Sequence, residues 1–259
     1  YIAGKMMLVR ALIMGWELDV VAPNSAPLKH VSKKYRFSAM VPLQARNSLD
    51  KLHLINTLII GGGKISQQLR QSLQTAGSNI FETYGMTETI THIAIKPVLI
   101  GKKGRKTALF KTLPGVSVRK DGKGCLVISA PQIADSEVVT NDLVVIADEH
   151  SFEWLGRVDN VINSGGIKLI PEQIEHKISR IIDTSFLISC KADDQLGEKH
   201  ILVLEGTSYS ADLLKRMENE AKLDKYEIPK EVYCIAEFVR TDTGKIQRRA
   251  TLDLLQKTI

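Results

Sequence analysis

A chain of 259 residues, 44% apolar and 25% charged, is long enough to bury a core without a metal or disulfide staple and favours one or two domains. Its formal charge is +6, and only 5% of its residues are aromatic. The cations are spread along the chain rather than gathered on one stripe with interleaved aromatics, which argues against a nucleic-acid binder and leaves a surface suited to small anionic substrates.

Taken in chain order, Lys5 to Gly15 carries apolar side chains at helical spacing, with Gly15 as the stop. The wider segment from Ile2 to Trp16 is apolar, but Lys5 and Arg10 interrupt it, so neither a membrane span nor a signal peptide is expected. The chain opens at Tyr1 inside this apolar pattern, and residues upstream of it are expected. Phe37 to Val41 is a short strand ended by Pro42, and Thr57 to Ile60 a buried strand followed at once by Gly61, Gly62 and Gly63. Ser66 caps a helix to about Ala76, ended by Gly77, and Asn79 to Thr83 is the next strand. Strand, glycine turn, helix and strand form the signature of a parallel α/β layer.

From about residue 96 the texture changes to short alternating runs, Val116 to Arg119, Cys125 to Ser129 and Leu143 to Ala147. Asp121-Gly122 and Lys123-Gly124 mark a hairpin, and a small β subdomain is expected over about 96–155. The run Lys102, Lys103, Arg105 and Lys106 reads as a solvated loop. A second shift comes near Gly156. Pro171 opens a helix with Ile174, Ile178, Ile181 and Ile182 on one face, and strands follow at Ser185 to Ser189 and Ile201 to Glu205. Ser210 caps a helix to about Lys222, Val232 to Phe238 is a third strand, and a last helix starts near Arg248. The expected organisation is residues 1–156 from a large α/β domain and 157–259 as a compact α+β domain.

Four segments could carry chemistry. Gly61-Gly62-Gly63 would let an anion approach the backbone ahead of a helix N-terminus, although a plain tight turn explains it equally well. Tyr84-Gly85-Met86-Thr87-Glu88 sets an aromatic ring, a hydroxyl and a carboxylate at a strand's carboxyl end, where α/β sheets bind ligands. The ring suits a base, the hydroxyl a phosphate and the carboxylate Mg²⁺; a capped turn leading into a helix is the alternative. Arg157 could fork onto a polyhydroxy or phosphate ligand and Asp159 could be a hinge, against the simpler reading of a surface salt bridge. Lys245, in the polar turn Arg240-Thr241-Asp242-Thr243-Gly244-Lys245, could neutralise phosphate oxygens or be a solvated lysine. The six histidines include no metal-ligand pair; Glu172 and His176, four apart on a helix, are expected as a surface pair. The three cysteines, Cys125, Cys190 and Cys234, are far apart, expected in the core, and fit a reducing cytoplasm.

Together these segments resemble the adenylate-forming superfamily of acyl-CoA synthetases. YGMTE at 84–88 is similar to its Y-G-x-T-E loop, GRVDNVINSGGIKLIPEQIE at 156–175 to its hinge signature, and RTDTGKIQR at 240–248 to its C-terminal lysine motif. The resemblance implies an AMP-forming acid–thiol ligase that takes a small carboxylic acid, ATP with Mg²⁺, and coenzyme A. It implies that Tyr84 stacks on adenine, Thr87 meets the α-phosphate and Glu88 binds Mg²⁺. Asp142 would match the T-G-D aspartate that holds the ribose, with Asn141 in place of that glycine, and Arg157 would reach the same ribose. Lys245 would bridge carboxylate and phosphate oxygens, Asp159 would be the pivot, and Gly165 and Gly166 would line the pantetheine path. Within the superfamily, YIAGKMMLVRALIMGWEL is similar to the Y-H-x-x-G…R-A-L…G segment of the o-succinylbenzoate–CoA ligases of menaquinone synthesis, with Ile2 where histidine is frequent. Other acyl- or aryl-CoA ligases, or a nucleotide-binding module without catalysis, are the rival readings. The module is favoured by the absence from this chain of the family's S-G-[ST]-T-G-x-P-K-like phosphate loop. A homo-oligomer is compatible with all of them.

Overall fold

The computed structural model describes residues 2–98, 109–241 and 244–256, so the basic run at 102–106 and the Asp242-Thr243 step of the lysine turn lie outside the described residues. The chain divides into two units, Tyr1–Thr140 with Val145–Glu153, and Asn141–Val144 with Trp154–Ile259. No described helix is long and apolar enough to cross a membrane.

The first unit opens on α1 (Ile2–Met14), which ends where Gly15 turns to φ +62°. Ala11 is buried, while Leu8, Leu12 and Ile13 are exposed. Next come β1 (Tyr35–Met40), α2 (Pro42–Arg46), β2 (Ile55–Ile60), α3 (Gln67–Ser72) and β3 (Asn79–Gly85). Pro42 ends the strand as expected and also begins α2, where its fixed φ and missing N–H suit the first helical position. Ser66 caps α3 by accepting from the Leu69 N–H at 3.1 Å, as the sequence suggested. The helix is shorter than expected: it tightens into a 3-10 turn at Leu73–Thr75 before Gly77, at φ +70°.

β1, β2 and β3 are parallel, with Ala39 opposite Ile59 and Ile59 opposite Phe81. Ile55, Leu58 and Ile60 of β2 pack with Leu52, Leu69, Leu73 and Ile80 in one apolar core. Full burial of each such side chain contributes about 1.5–3 kcal/mol.

The rest of this sheet comes from β4 (His92–Pro97), β5 (Phe110–Thr112), β6 (Ser117–Lys120), β7 (Cys125–Ser129), β8 (Val138–Asp148) and β9 (Ser151–Arg157). The strand order is β1-β2-β3-β4-β5-β9-β8-β7-β6. Hence the β strands expected as a small subdomain over 96–155 do not form a sheet of their own. β4 pairs antiparallel with both β3 and β5, through Thr83 opposite Ile95 and Ala94 opposite Thr112, which makes one mixed sheet of the parallel and antiparallel parts. The β6–β7 hairpin turns at Asp121, whose carboxylate accepts from the Lys123 and Cys125 amides, both at 2.8 Å.

In the second unit, β10 (Ile162–Ser164), β11 (Ile167–Leu169), α4 (Pro171–Ile178), β12 (Phe186–Asp193) and β13 (Gly197–Glu205) precede α5 (Leu213–Glu220), β14 (Glu231–Ile235) and α6 (Arg248–Gln256). The sheet order is β11-β10-β13-β12, with β14 parallel to β13. Strand alternation sends Leu202 and Leu204 into a cluster with Ile174, Ile178 and Met217, and Ile201 and Val203 into another with Phe238 and Leu255. Both faces of β13 are therefore covered, which explains its continuous apolar run.

Two expectations need correction here. Ser210 does not cap α5: Asp212 holds the N-cap position, and the Ser210 hydroxyl instead donates to the Asp212 carboxylate. Glu172 is not on the surface; it is 6% exposed and accepts from Asn160 Nδ2 at 2.5 Å. Cys125 is buried, and Cys190 and Cys234 are half-buried. Burial, with help from Glu198, pushes the Cys190 thiol up to about 11, so it stays protonated near neutrality.

Candidate active site

In the first unit the glycine turn and the Y-G-M-T-E segment come to the same edge of the sheet, because β2 and β3 are parallel neighbours and their carboxyl ends lie side by side. The Gly61 N–H donates to the Met40 carbonyl at 3.1 Å. A β-carbon on Gly61 would lie 2.3 Å from Thr83 Oγ1, and that hydroxyl donates to the Ile60 carbonyl at 3.3 Å. Gly62 adopts φ +77° beside Val41, and Gly63 lies beside Pro42. The helix N-terminus imagined behind this turn is displaced: α3 starts only at Gln67, and its first turn is already capped by Ser66.

Tyr84 and Gly85 continue β3 rather than opening a loop, and the register with β4 shifts between them. The reason is steric. A β-carbon on Gly85 would lie 2.5 Å from both His92 Cα and the Thr91 carbonyl oxygen, so only glycine lets the chain pass this close. The half-buried Tyr84 ring meets Phe152 edge-on at 5.2 Å and Phe110 at 5.8 Å, and the two phenylalanines stack at 5.5 Å. One carboxylate anchors the strand from below: Glu82, 6% exposed, pairs with Arg70 at 2.6 Å and Lys96 at 3.0 Å. Burial alone would raise its pKa, but the charges of Lys96 and Arg70 outweigh that and hold it below the ordinary value.

Thr87 and Glu88 are exposed on a 3-10 turn, Thr87–Thr89. The capped turn weighed as an alternative is half right. The buried Thr89 hydroxyl accepts from the Met86 N–H at 3.1 Å, but β4 follows instead of a helix. Two residues after Glu88, Ile90 sits at φ +61°, a conformation β-branched residues rarely adopt and one that clusters at functional sites. Among the described residues no three His, Cys, Asp or Glu side chains form a metal group. A lone exposed carboxylate nonetheless fits Mg²⁺, which is held by one or two protein carboxylates and completed by nucleotide phosphates and water.

The sequence reading placed Arg10 in the R-A-L segment but gave it no role. Its guanidinium donates to Thr91 Oγ1 at 3.2 Å and lies 3.3 Å from His92 Nδ1. Burial lowers the pKa of Arg10, and burial followed by the Arg10 charge lowers that of His92. Among the described residues no carboxylate pairs with this cation. The available signal was an arginine interrupting an otherwise apolar helix.

In the second unit, Asp142 is buried on β8 at 9% exposure, while Arg157 ends β9 with half its side chain exposed. Arg157 Nη2 donates to Asp159 Oδ2 at 2.9 Å, which is the surface ion pair weighed for this segment. Asp159 sits in the 3-10 turn Val158–Asn160 and also accepts from Asn141 Nδ2 at 3.2 Å. Gly165 and Gly166, at φ +58° and +82°, make the two-residue turn between β10 and β11, where both central residues must be left-handed.

Lys245 is exposed, at the end of a turn closed by the Thr241 N–H on the Lys245 carbonyl at 2.9 Å. Its own N–H donates to Thr241 Oγ1 at 3.2 Å. The shallow depression around it is lined by Thr241, Gln247, Arg248, Arg249 and Asp253.

No protein-family model matches the chain. A solved acyl-CoA synthetase (AMP-forming)/AMP-acid ligase II-like protein from Dyadobacter fermentans is 35% identical, with a TM-score of 0.59, over 98% of this chain and 75% of that one. The 2-succinylbenzoate–CoA ligase of Bacillus cytotoxicus is 24% identical over 99% of this chain and 60% of its own length. The o-succinylbenzoate CoA synthetase of Bacillus subtilis, in complex with its acyl-adenylate intermediate, shares the fold at 19% identity and a TM-score of 0.78, over 96% of this chain and 58% of that one. The chain thus spans about half to three-fifths of the length of the curated relatives it matches.

Proposed function

This chain belongs to the AMP-forming acyl-CoA synthetases, and we propose that the protein carrying it is an acid–thiol ligase. It adenylates a carboxylate with ATP, releasing pyrophosphate, and then transfers the acyl group to coenzyme A with release of AMP. The proposed acid is o-succinylbenzoate, which places the protein in menaquinone synthesis. The observation that carries this reading is that Gly61–Gly63 and Tyr84–Glu88 lie at the carboxyl ends of the adjacent parallel strands β2 and β3.

The roles follow from the chemistry of the side chains. Tyr84, backed by Phe110 and Phe152, offers a ring of fixed orientation for adenine. Thr87 and Glu88, both exposed, would meet the α-phosphate and hold Mg²⁺, which when bound would offset charge on the phosphate oxygens. Asp142 and Arg157 are assigned to the ribose, Asp159 to the hinge and Gly165–Gly166 to the pantetheine path. Lys245 supplies a mobile positive charge for the oxygens of the attacking carboxylate and the α-phosphate. The choice of acid is supported by the name of the curated relatives and by Arg10. A half-buried guanidinium that has no carboxylate partner among the described residues favours an acyl group that brings its own second carboxylate, as o-succinylbenzoate does.

The test is a pyrophosphate-release and acyl-CoA assay over a panel of acids, run beside calorimetric titration with ATP. Turnover of o-succinylbenzoate above the other acids supports the reading. Turnover of a different acid removes the substrate assignment, and nucleotide binding without turnover by the full-length protein supports the non-catalytic module.

A further inference from the structure

The lysine motif contains two arginines, Arg240 and Arg248, that the proposed chemistry does not use, and the hinge signature ends on an unused carboxylate, Glu175. The structure gives all three a partner. Arg240 forks onto Glu205, Nη1 to Oε1 and Nη2 to Oε2, both at 2.5 Å, and its Nη2 also donates to Ser185 Oγ at 3.0 Å. Glu205 in turn accepts from the Phe238 N–H at 2.9 Å. Arg248 donates from Nη2 to Glu175 Oε1 at 2.6 Å and from Nη1 to the Ile188 carbonyl at 2.5 Å, while the Ile188 N–H donates to the same Glu175 oxygen at 2.8 Å. One arginine thus stands just before the lysine turn and one just after it. Each is pinned to the β12–β13 framework, and Arg248 to α4 as well.

Between the two forks the turn is laced at its neck. Arg240 and Ile246 form an antiparallel bridge, the Gln247 N–H donates to the Val239 carbonyl at 2.8 Å, and Gln247 Nε2 donates to the Arg240 carbonyl at 3.1 Å. Below the neck, the Val239 N–H donates to the fully buried Thr251 hydroxyl at 3.1 Å. A lysine side chain carries roughly 2 kcal/mol of rotamer entropy, and its own stem cannot be locked while the ammonium stays exposed. What the fold can fix is the backbone from which the ammonium projects.

We propose that Arg240 and Arg248 are positioning residues for Lys245: the Arg240–Glu205 fork, and the paired contacts of Arg248 with Glu175 and the Ile188 carbonyl, hold the two ends of the lysine turn so that the ammonium swings from a rigid base. This rests on the assignment of Lys245 to the adenylation step. A misplacement near 1 Å costs on the order of 100-fold in rate, and lysine in place of arginine keeps the charge but loses the fork. The forks therefore matter for the step that uses Lys245, not for the one that does not.

The experiment measures the two half-reactions separately in the full-length protein, as acyl-adenylate formation and as thioester formation from supplied acyl-adenylate. The variants are Arg240→Lys, Arg248→Lys, Glu205→Gln, Lys245→Ala and the double change Arg240→Lys/Lys245→Ala. The fork variants are expected to slow adenylation about 10- to 100-fold, to leave thioester formation within about twofold, and to add nothing on the Lys245→Ala background, because residues acting as one unit are not additive. Equal slowing of both half-reactions, or full additivity with Lys245→Ala, overturns the proposal in favour of general destabilisation. If Lys245→Ala itself leaves adenylation intact, the lysine assignment fails first. If Lys245→Ala abolishes adenylation while the fork variants retain it, the positioning proposal alone fails. Should Arg240→Lys not fold, Glu205→Gln decides, read by backbone amide relaxation at residues 244–247. Order parameters falling there but not in β13 support the proposal, and unchanged values contradict it.

Discussion

The side-chain amide of Asn141 donates to the Asp159 carboxylate at 3.2 Å, and Arg157 reaches that carboxylate at 2.9 Å. Asn141 stands where the T-G-D pattern has glycine, so this departure adds a hydrogen bond to the residue assigned as the hinge. The groups are exposed, and the contact contributes under about 1 kcal/mol. Asn141→Gly is therefore expected to speed thioester formation about two- to fivefold with adenylation unchanged, as read in single-turnover assays. A change confined to adenylation would contradict the hinge contact.

Gly85→Ala tests the close pass between β3 and β4. A β-carbon 2.5 Å from backbone atoms cannot be relieved by a rotamer change, so β4 has to move. The expected loss is about 2 kcal/mol or more of stability, measured as a lower denaturant midpoint with an unchanged slope. A midpoint equal to the parent's would mean the two strands separate easily.

Tyr84→Phe keeps the ring on Phe110 and Phe152, whereas Tyr84→Ala removes it. The alanine variant should lose stability and bind ATP at least about tenfold more weakly, since aromatic pairs contribute about 0.5–1.5 kcal/mol beyond area. The phenylalanine variant should bind within about threefold of the parent. Equal ATP affinity in both, by calorimetry, would remove Tyr84 from the nucleotide site.

Arg10→Gln should raise the KM for an acid that carries a second carboxylate and leave the KM for ATP unchanged. The amide keeps a donor near Thr91 and His92 but drops the charge. An equal effect on a monocarboxylic acid would show that Arg10 only packs α1.

The pH dependence of the second unit follows from Glu205. The Arg240 fork, helped by the Phe238 amide and working against burial, holds its pKa at about 2, down from 4.5. A depressed carboxylate contributes in full above pH 4.5, and the contribution fades as pH falls toward 2. With solvent screening this is about 1 kcal/mol. Urea melts between pH 5 and 3 should show part of that loss in the parent and a shallower one in Arg240→Gln. Identical slopes in the two proteins would rule the pair out as a source of acid sensitivity.

Much of the fold could be read from local pattern. Gly15, Ser66 and Gly77 punctuate the chain where expected, because capping and left-handed turns depend on single residues. The sheet could not be read in this way: whether Phe110–Thr112 pairs with His92–Pro97 depends on partners distant in sequence, so one mixed sheet looked like two. Glu172 looked exposed because helical spacing gives a periodicity but not which face is covered. At the candidate site, the motif residues were visible as residue types in order. Their supports were not: Phe110 and Phe152 behind Tyr84, Glu82 between Arg70 and Lys96, and Arg10 beside His92 are all long-range contacts.

The central claim is that Lys245 and the Tyr84–Glu88 segment serve one adenylation. The most direct measurement is isotope exchange between pyrophosphate and ATP with o-succinylbenzoate, comparing the parent full-length protein with Lys245→Ala and Glu88→Gln. The account predicts acid-dependent exchange that falls at least about 100-fold in each variant while each remains folded. Exchange at the parent rate in either variant would contradict it.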